Sequence, residues 1–248
     1  MSKEILNAKR IKIFGGSIIN QNGSLVKKNL LIADQKILGF KDSNEEISDF
    51  SSELDIDASN CIISPPFVDC AARIKNLGLD HEDSLYSELR AAVAGGVTNF
   101  VCPPDTNPVL DEPGLVEMFI KRSSTYNKAK LHPLGALTVG LSGEMITEMA
   151  ELSESGCIGF SQSNEPIKDT NVLLKAFQYA SNFNFSVWLS PMDFWLKKSG
   201  LIHEGIVSTR LGLNGILDCA ESISLMTILE LAKLTKVNLH ICRVSSEK

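Results

Sequence analysis

With 248 residues, 44% of them hydrophobic and 22% charged, the chain has the composition of a globular protein that buries a sizeable core, as one large domain or as a small domain plus most of a larger one. Its formal net charge of −6 and the scatter of its lysines and arginines argue against a general nucleic-acid binder and against a basic patch for anionic membranes. No apolar run approaches the roughly 20 residues that a membrane span requires.

The first ten residues are polar and charged, with no apolar core of the kind a secretory signal carries. From there to about residue 58 the pattern predicts short strands separated by turns. Residues 11–14 meet Gly15-Gly16, and residues 17–19 run into the turn Asn20-Gln21-Asn22-Gly23. Residues 29–33 and 36–40 flank Asp34-Gln35, which reads as a tight hairpin. Residues 41–53 are polar and acidic, a solvent-exposed loop, and 54–58 alternate into the next strand. Residues 1–61 thus form a small β-rich module.

The stretch from Cys61 to Gly78 begins as an apolar run, Ile62-Ile63 and Pro65-Pro66-Phe67-Val68, and closes on Asp69. Such a run fits a buried strand that delivers side chains to a site at its C-terminal end. After it the rhythm becomes strand, loop, helix. Helices are expected at 84–94, 112–122 (with Pro113 in the first turn), 143–155, 170–182 and 220–234. Strands are expected at 97–102, 130–137, 157–161, 185–189 and 237–243. Strands alternating with helices imply parallel βα units. Six such strands are visible over 62–248, where a closed eight-stranded barrel needs eight; an open six-stranded sheet and a barrel truncated after its sixth strand both fit this count. The six cysteines, Cys61, Cys70, Cys102, Cys157, Cys219 and Cys242, lack C-x-x-C spacing, and four sit in apolar strand-like runs. Reduced, buried thiols in a cytoplasmic protein are therefore expected.

Several motifs fall in order along the chain. They include Phe67-Val68-Asp69, then Arg90-Ala91-Ala92-Val93-Ala94-Gly95-Gly96-Val97-Thr98, and Cys102-Pro103-Pro104-Asp105-Thr106-Asn107-Pro108. Gly135-Ala136-Leu137-Thr138, His203-Glu204-Gly205, Arg210-Leu211-Gly212-Leu213, Ala220-Glu221-Ser222 and Leu239-His240-Ile241-Cys242-Arg243-Val244-Ser245 follow. Together they resemble the dihydroorotases and related cyclic amidohydrolases over nearly the whole chain. The resemblance implies an α/β fold: a (β/α)8 TIM-type amidohydrolase barrel, truncated after the sixth strand, with the N-terminal module as part of a composite β-sandwich. It favours the truncated barrel over the open sheet.

The same resemblance implies where the chemistry of active relatives would lie. Their two first-strand zinc-binding histidines fall here on Ala71 and Arg73, and a substrate-binding arginine falls on Lys75. The substrate-binding asparagine falls on Asp105, and a carboxylate position falls on Gln162-Ser163. The fifth-strand histidine falls on Ser190 and the sixth-strand histidine on Arg243. A methyl group cannot ligate zinc, and a guanidinium repels a divalent ion. The expectation is a pseudoenzyme with no catalytic residue, no metal and no cofactor, in which Lys75 and Asp105 persist as vestigial substrate-binding positions. The chain resembles in particular the non-catalytic homologues associated with bacterial aspartate transcarbamoylase, through residues 102–111 and 135–144. That implies a structural partner role in pyrimidine biosynthesis, in a hetero-oligomer. The alternatives are an active, metal-dependent cyclic amidohydrolase interconverting carbamoyl aspartate and dihydroorotate, and a small-ligand-binding module.

The remaining polar candidates have plainer readings. A period of two puts His240 opposite Arg243, packed outward against a helix if Arg243 points into the barrel mouth. His81 and His132 read as solvated residues in or near loops, and His203 beside Glu204 makes no metal site. Asp69 reads as a buried partner of Arg73 in a structural ion pair. Asp105 and Lys75, if they bind nothing, form a solvated loop pair. Trp188 and Trp195 read as core residues.

Overall fold

The fold is that of a computed structural model, which describes residues 8–20, 22–42, 50–74 and 82–247. The chain divides into two units, Met1–Pro66 and Phe67–Lys248.

The first unit is a sheet of β1 (Arg10–Phe14), β2 (Ser17–Ile19), β3 (Leu25–Ala33), β4 (Lys36–Asp42), β5 (Leu54–Asp57) and β6 (Ile62–Ile63). The long strand β3 pairs antiparallel with β2 through Leu25 to Lys27 and with β1 through Leu30 to Ala33. β1 and β2 are thus two pieces of one edge, interrupted at Gly15-Gly16. Gly15 has φ +76°, and a Cβ there would stand 2.5 Å from the Ser59 hydroxyl, so only glycine fits the break. β4 covers the other edge of β3 through a two-residue turn in which Asp34 and Gln35 have φ of 48° and 63°, the left-handed pair that matches strand twist. Ile62-Ile63 pairs with β2 and so belongs to this unit; the apolar stretch read as one barrel strand divides in two at the prolines between 63 and 67.

The second unit carries the βα rhythm. Its elements are β7 (Phe67–Asp69), α1 (Glu82–Ala94), β8 (Val97–Cys102), α2 (Pro113–Thr125), β9 (Lys130–Pro133), β10 (Gly135–Ala136), α3 (Met149–Glu154), β11 (Phe160–Ser161) and α4 (Thr170–Asn182). β12 (Ser186–Leu189), α5 (Phe194–Lys197), β13 (Ile202–His203), α6 (Ile206–Leu211), β14 (Gly215–Ile216), α7 (Cys219–Thr235) and β15 (Asn238–Ile241) complete it. Strands β7, β8 and β9 pair in parallel, and β10, β11, β12 and β15 pair in parallel. β9 and β10 are one strand with two partners. Leu134 still donates its N–H to Cys102 O of β8 at 2.9 Å, whereas Gly135 donates to Gly159 O beside β11 at the same distance. This stagger is what a curled sheet with tilted strands produces. Within each of these two sheets spatial order follows chain order, while β13 and β14, which lie between β12 and β15 in the chain, form a parallel pair of their own; this is the winding of a barrel rather than of a doubly wound open sheet.

Local chemistry explains most boundaries. Pro113 occupies the first turn of α2, Asp169 caps α4 by accepting from Asn171 N at 2.8 Å, and Asp193 caps α5 by accepting from Leu196 N at 2.8 Å. The core lies between sheet and helices, around Phe100, Phe119, Phe160 and Phe177, all with relative exposure of 2% or less. The helix expected over 143–155 is confined to Met149–Glu154. Its would-be first turns are diverted because Gly143 has φ +76° and donates its N–H to Thr138 Oγ1, while Ile146 bridges back to Thr138. Two cysteines, Cys102 and Cys157, are buried, Cys219 and Cys242 are half-buried, and Cys61 and Cys70 are exposed, so burial of the thiols is only partial; all six are free. Among the described residues no helix is long and apolar enough to cross a membrane.

Candidate functional site

In the second unit the C-terminal ends of β7, β8, β11, β12 and β15 converge on a cavity of about 200 Å3. The end of a parallel strand is where side chains and fresh loops meet, so it is the natural place for a site in this architecture. Ala71 and Arg73 reach the cavity from the loop after β7, Ser163 from the loop after β11, Ser190 from the end of β12, and Arg243 from the end of β15. Four positions that the sequence resemblance matched to ligands of active relatives, Ala71, Arg73, Ser190 and Arg243, thus meet at one place, together with Ser163 of the Gln162-Ser163 position.

A polar belt joins these loops. Asp69 is exposed and accepts the N–H of Ala71 at 2.9 Å, tightening the turn after β7. It does not pair with Arg73 as expected. Arg73 instead sets its Nη1 3.2 Å from Asp105 Oδ2, with both side chains about a quarter exposed. The other oxygen of Asp105 accepts the Ser163 hydroxyl at 2.9 Å, and Ser163 N donates to Ser161 Oγ at 3.0 Å. Asp105 is therefore a bridge between the loops after β7, β8 and β11 rather than half of a solvated pair. Lys75 and His81 lie outside the described residues. On the far side Arg243 donates through Nη1 to the neutral amide oxygen of Asn164.

Gln162 is buried and turns away from the cavity. Its Oε1 accepts from Thr138 Oγ1 at 3.0 Å and its Nε2 donates to Leu141 O at 2.9 Å, which fixes the short 3-10 turn Val139–Leu141. His240 lies on the cavity side and is exposed, stacked 4.2 Å from the half-buried Trp188, its partner in the β12–β15 register. The strand-parity reading put it on the outer face. Strand geometry ends at Ile241, and Arg243 has φ 56°, so alternation no longer relates His240 to Arg243. Trp195 is 66% exposed on α5, so neither tryptophan is a core residue. His132 sits half-buried within β9 with its Nε2 3.0 Å from Asn99 Oδ1, not in a loop; burial, followed by the nearby Lys130, holds its pKa below the usual histidine range. His203 is exposed at the end of β13.

The electrostatics of the cavity are those of cations and hydroxyls. Under the belt, burial pushes the Cys102 thiol up to about 12. Burial also raises Cys242, and Cys70 adds to that, while Arg243 opposes it. A zinc site needs deprotonated thiolates, neutral imidazoles or carboxylates arranged about one point. Among the described residues no group of three or more His, Cys, Asp or Glu is so arranged. With two guanidiniums at the strand ends, the described side chains of the cavity do not fit a divalent metal. The role of Asp105 as a bridge, and the lining serine Ser161 at the end of β11, were not evident in the sequence; Ser163 was marked only through the resemblance, as part of the Gln162-Ser163 position.

Comparison with known proteins agrees with this architecture. Residues 60–248 match the family model described as dihydro-orotase-like. A dihydroorotase-like protein of Pseudomonas putida is 36% identical over 199 residues, covering 80% of this chain and 47% of the relative. A dihydroorotase of Pelobacter propionicus is 36% identical over 191 residues, covering 77% of this chain and 45% of the relative. The chain thus spans about half the length of the relatives it matches. Among solved structures, an L-hydantoinase (dihydropyrimidinase) from Arthrobacter aurescens superposes with a TM-score of 0.72 at 17% identity, over 95% of this chain and 53% of that one. A D-hydantoinase superposes with a TM-score of 0.64 at 17% identity, over 93% and 51%. Such identities speak for the amidohydrolase fold alone, but the family match spans most of the sequence: the chain belongs to the dihydroorotase-like family.

Proposed function

We propose that this chain is a catalytically inactive member of its family, with a structural role in assembling an aspartate transcarbamoylase in pyrimidine biosynthesis. The observation that carries the reading is the convergence of Ala71, Arg73, Ser190 and Arg243 on one cavity, where active relatives by resemblance hold zinc. Cyclic-amide hydrolysis at neutral pH calls for a metal-activated water, a Lewis acid on the carbonyl and a carboxylate to move the proton. Here those positions supply a methyl group, a hydroxyl and two fixed cations, and the nearest bridging carboxylate, Asp105, is engaged by Arg73 and Ser163. The preserved strand order with a replaced site fits a scaffold retained for contact rather than chemistry, in the cytoplasm.

Zinc content of the full chain after dialysis against excess zinc is the first test, with carbamoyl aspartate cyclisation assayed on the same sample. Metal far below one ion per chain and no turnover above background are the expected results. One or two retained ions with turnover would favour an active dihydroorotase, in keeping with the names of several relatives. The structural role is tested separately by gel filtration with an aspartate transcarbamoylase catalytic chain from the same source. Co-elution at fixed stoichiometry is expected, and independent elution at micromolar concentration would remove the partner assignment.

A further inference from the structure

We propose that the cavity at the strand ends of the second unit binds a small oxyanion, a carboxylate or a phosphate, between Arg73 and Arg243. This rests on the reading that no metal occupies the same place.

Three observations converge. First, both guanidiniums line one cavity of about 200 Å3, and its described lining contains no carboxylate. Asp105 lies behind it and compensates only one of the two charges, whereas Arg243 is bonded to a neutral amide. Among the described residues the cavity therefore carries a positive charge with no carboxylate facing it, in a chain whose net charge is −6.

Second, Arg73 is fixed beside the cavity. Its Nη1 lies 3.2 Å from Asp105 Oδ2, and its Nε and Nη2 are buried, closed off from the cavity. A guest in the cavity therefore meets this guanidinium through its fixed charge, in surroundings less polar than bulk water, rather than through a two-pronged hydrogen bond.

Third, the rest of the wall suits such a guest. Ser161 and Ser190 add hydroxyls, and the stacked Trp188–His240 pair offers a flat side. Arg243 holds a left-handed backbone at φ 56°, a conformation that costs a non-glycine residue and recurs where a side chain must be aimed at a site.

The test is calorimetric titration of the full chain, stripped of metal, with inorganic phosphate and with malonate at constant ionic strength, using chloride as the control. Saturable one-to-one binding of phosphate or malonate, and none of chloride, is expected. Preference for malonate assigns the site to carboxylates, and preference for phosphate to phosphate-bearing ligands. Arg243 is exposed, so Arg243→Gln should leave the fold intact and weaken binding by about tenfold or more, with Arg243→Lys in between. Arg73→Gln, which removes the charge beside the cavity, should weaken it comparably, and Arg73→Lys, which keeps that charge, should weaken it little. No saturable heat up to tens of millimolar anion, or a response equal to that of chloride, overturns the proposal. So does full binding in Arg243→Gln. Zinc measured on the same preparation separates the two failures: stoichiometric zinc defeats the inactive-family reading, whereas a zinc-free chain that ignores oxyanions defeats this proposal alone.

Discussion

Asp105 and Glu221 show how single carboxylates hold loops that no backbone ladder reaches. Asp105 takes the Arg73 guanidinium on one oxygen and the Ser163 hydroxyl on the other, tying three strand ends together. Asp105→Asn removes the charge and leaves that guanidinium less compensated. Because both side chains are about a quarter exposed, the expected loss is about 1–2 kcal/mol, below that for a fully buried pair, read from urea midpoints. Glu221 is 6% exposed in the first turns of α7 and accepts from the Ser245 N–H and hydroxyl and from the Ser246 N–H, at 2.7 to 3.0 Å. Burial pushes its carboxyl up, but these hydrogen bonds outweigh burial and hold it below the usual range. Its folded pKa is therefore depressed, and the stability it contributes is complete above the ordinary glutamate value of about 4.3 and fades as pH falls through the folded pKa. Glu221→Gln should cost about 1–3 kcal/mol at neutral pH, with the difference from the parent shrinking in denaturation series taken down to pH values below that range. The motif containing Glu221 was visible in the sequence; its partners, more than 20 residues away, were not.

At the scale of elements, the two-partner strand β9–β10 depends on a close approach. A Cβ on Gly135 would stand 2.9 Å from the Phe160 ring of the neighbouring strand. Gly135→Val is expected to overpack this contact and cost about 1–3 kcal/mol by thermal or urea unfolding, without changing the unfolded chain's exposed surface much. Helix α4 is the clearest amphipathic case: Leu173, Ala176, Phe177 and Ala180 are buried, and Ser181 Oγ donates to Thr235 O at 2.7 Å to tie it to α7. Phe177→Ala should cost about 3–5 kcal/mol, a large share of the stability of an ordinary domain, and would be read as a lowered urea midpoint. The same periodicity that marked α4 also marked α1, α2 and α7. It missed α5, β13, α6 and β14, which span six residues or fewer and whose side chains are too few to show a repeat.

At the scale of the molecule, charge and apolar exposure pull in opposite directions. Leu201, Ile206, Leu211 and Met226 are 76, 81, 60 and 66% exposed, and a net charge of −6 keeps copies apart at neutral pH. That repulsion vanishes near the sequence pI of about 5.3. Turbidity of concentrated protein is expected to peak close to that pH and to subside on either side, and a flat profile would mean that these side chains do not meet other copies.

The sequence by itself determined the alternation of strands and helices, most helix limits, the tight turn at Asp34-Gln35 and the motifs of the dihydroorotase-like family. These are properties of neighbours along the chain: side-chain period, capping groups and residues that tolerate left-handed backbone. Tertiary structure decided what the replaced positions do together. That Arg73 leaves Asp69 for Asp105, that Gln162 braces a turn instead of facing the cavity, and that His240 and Arg243 share one side follow from how strand ends are brought together across the curled sheet. Hydrogen bonds and ion pairs act over a few ångströms in space, and separations of 24 to 79 residues along the chain carry no signal of them.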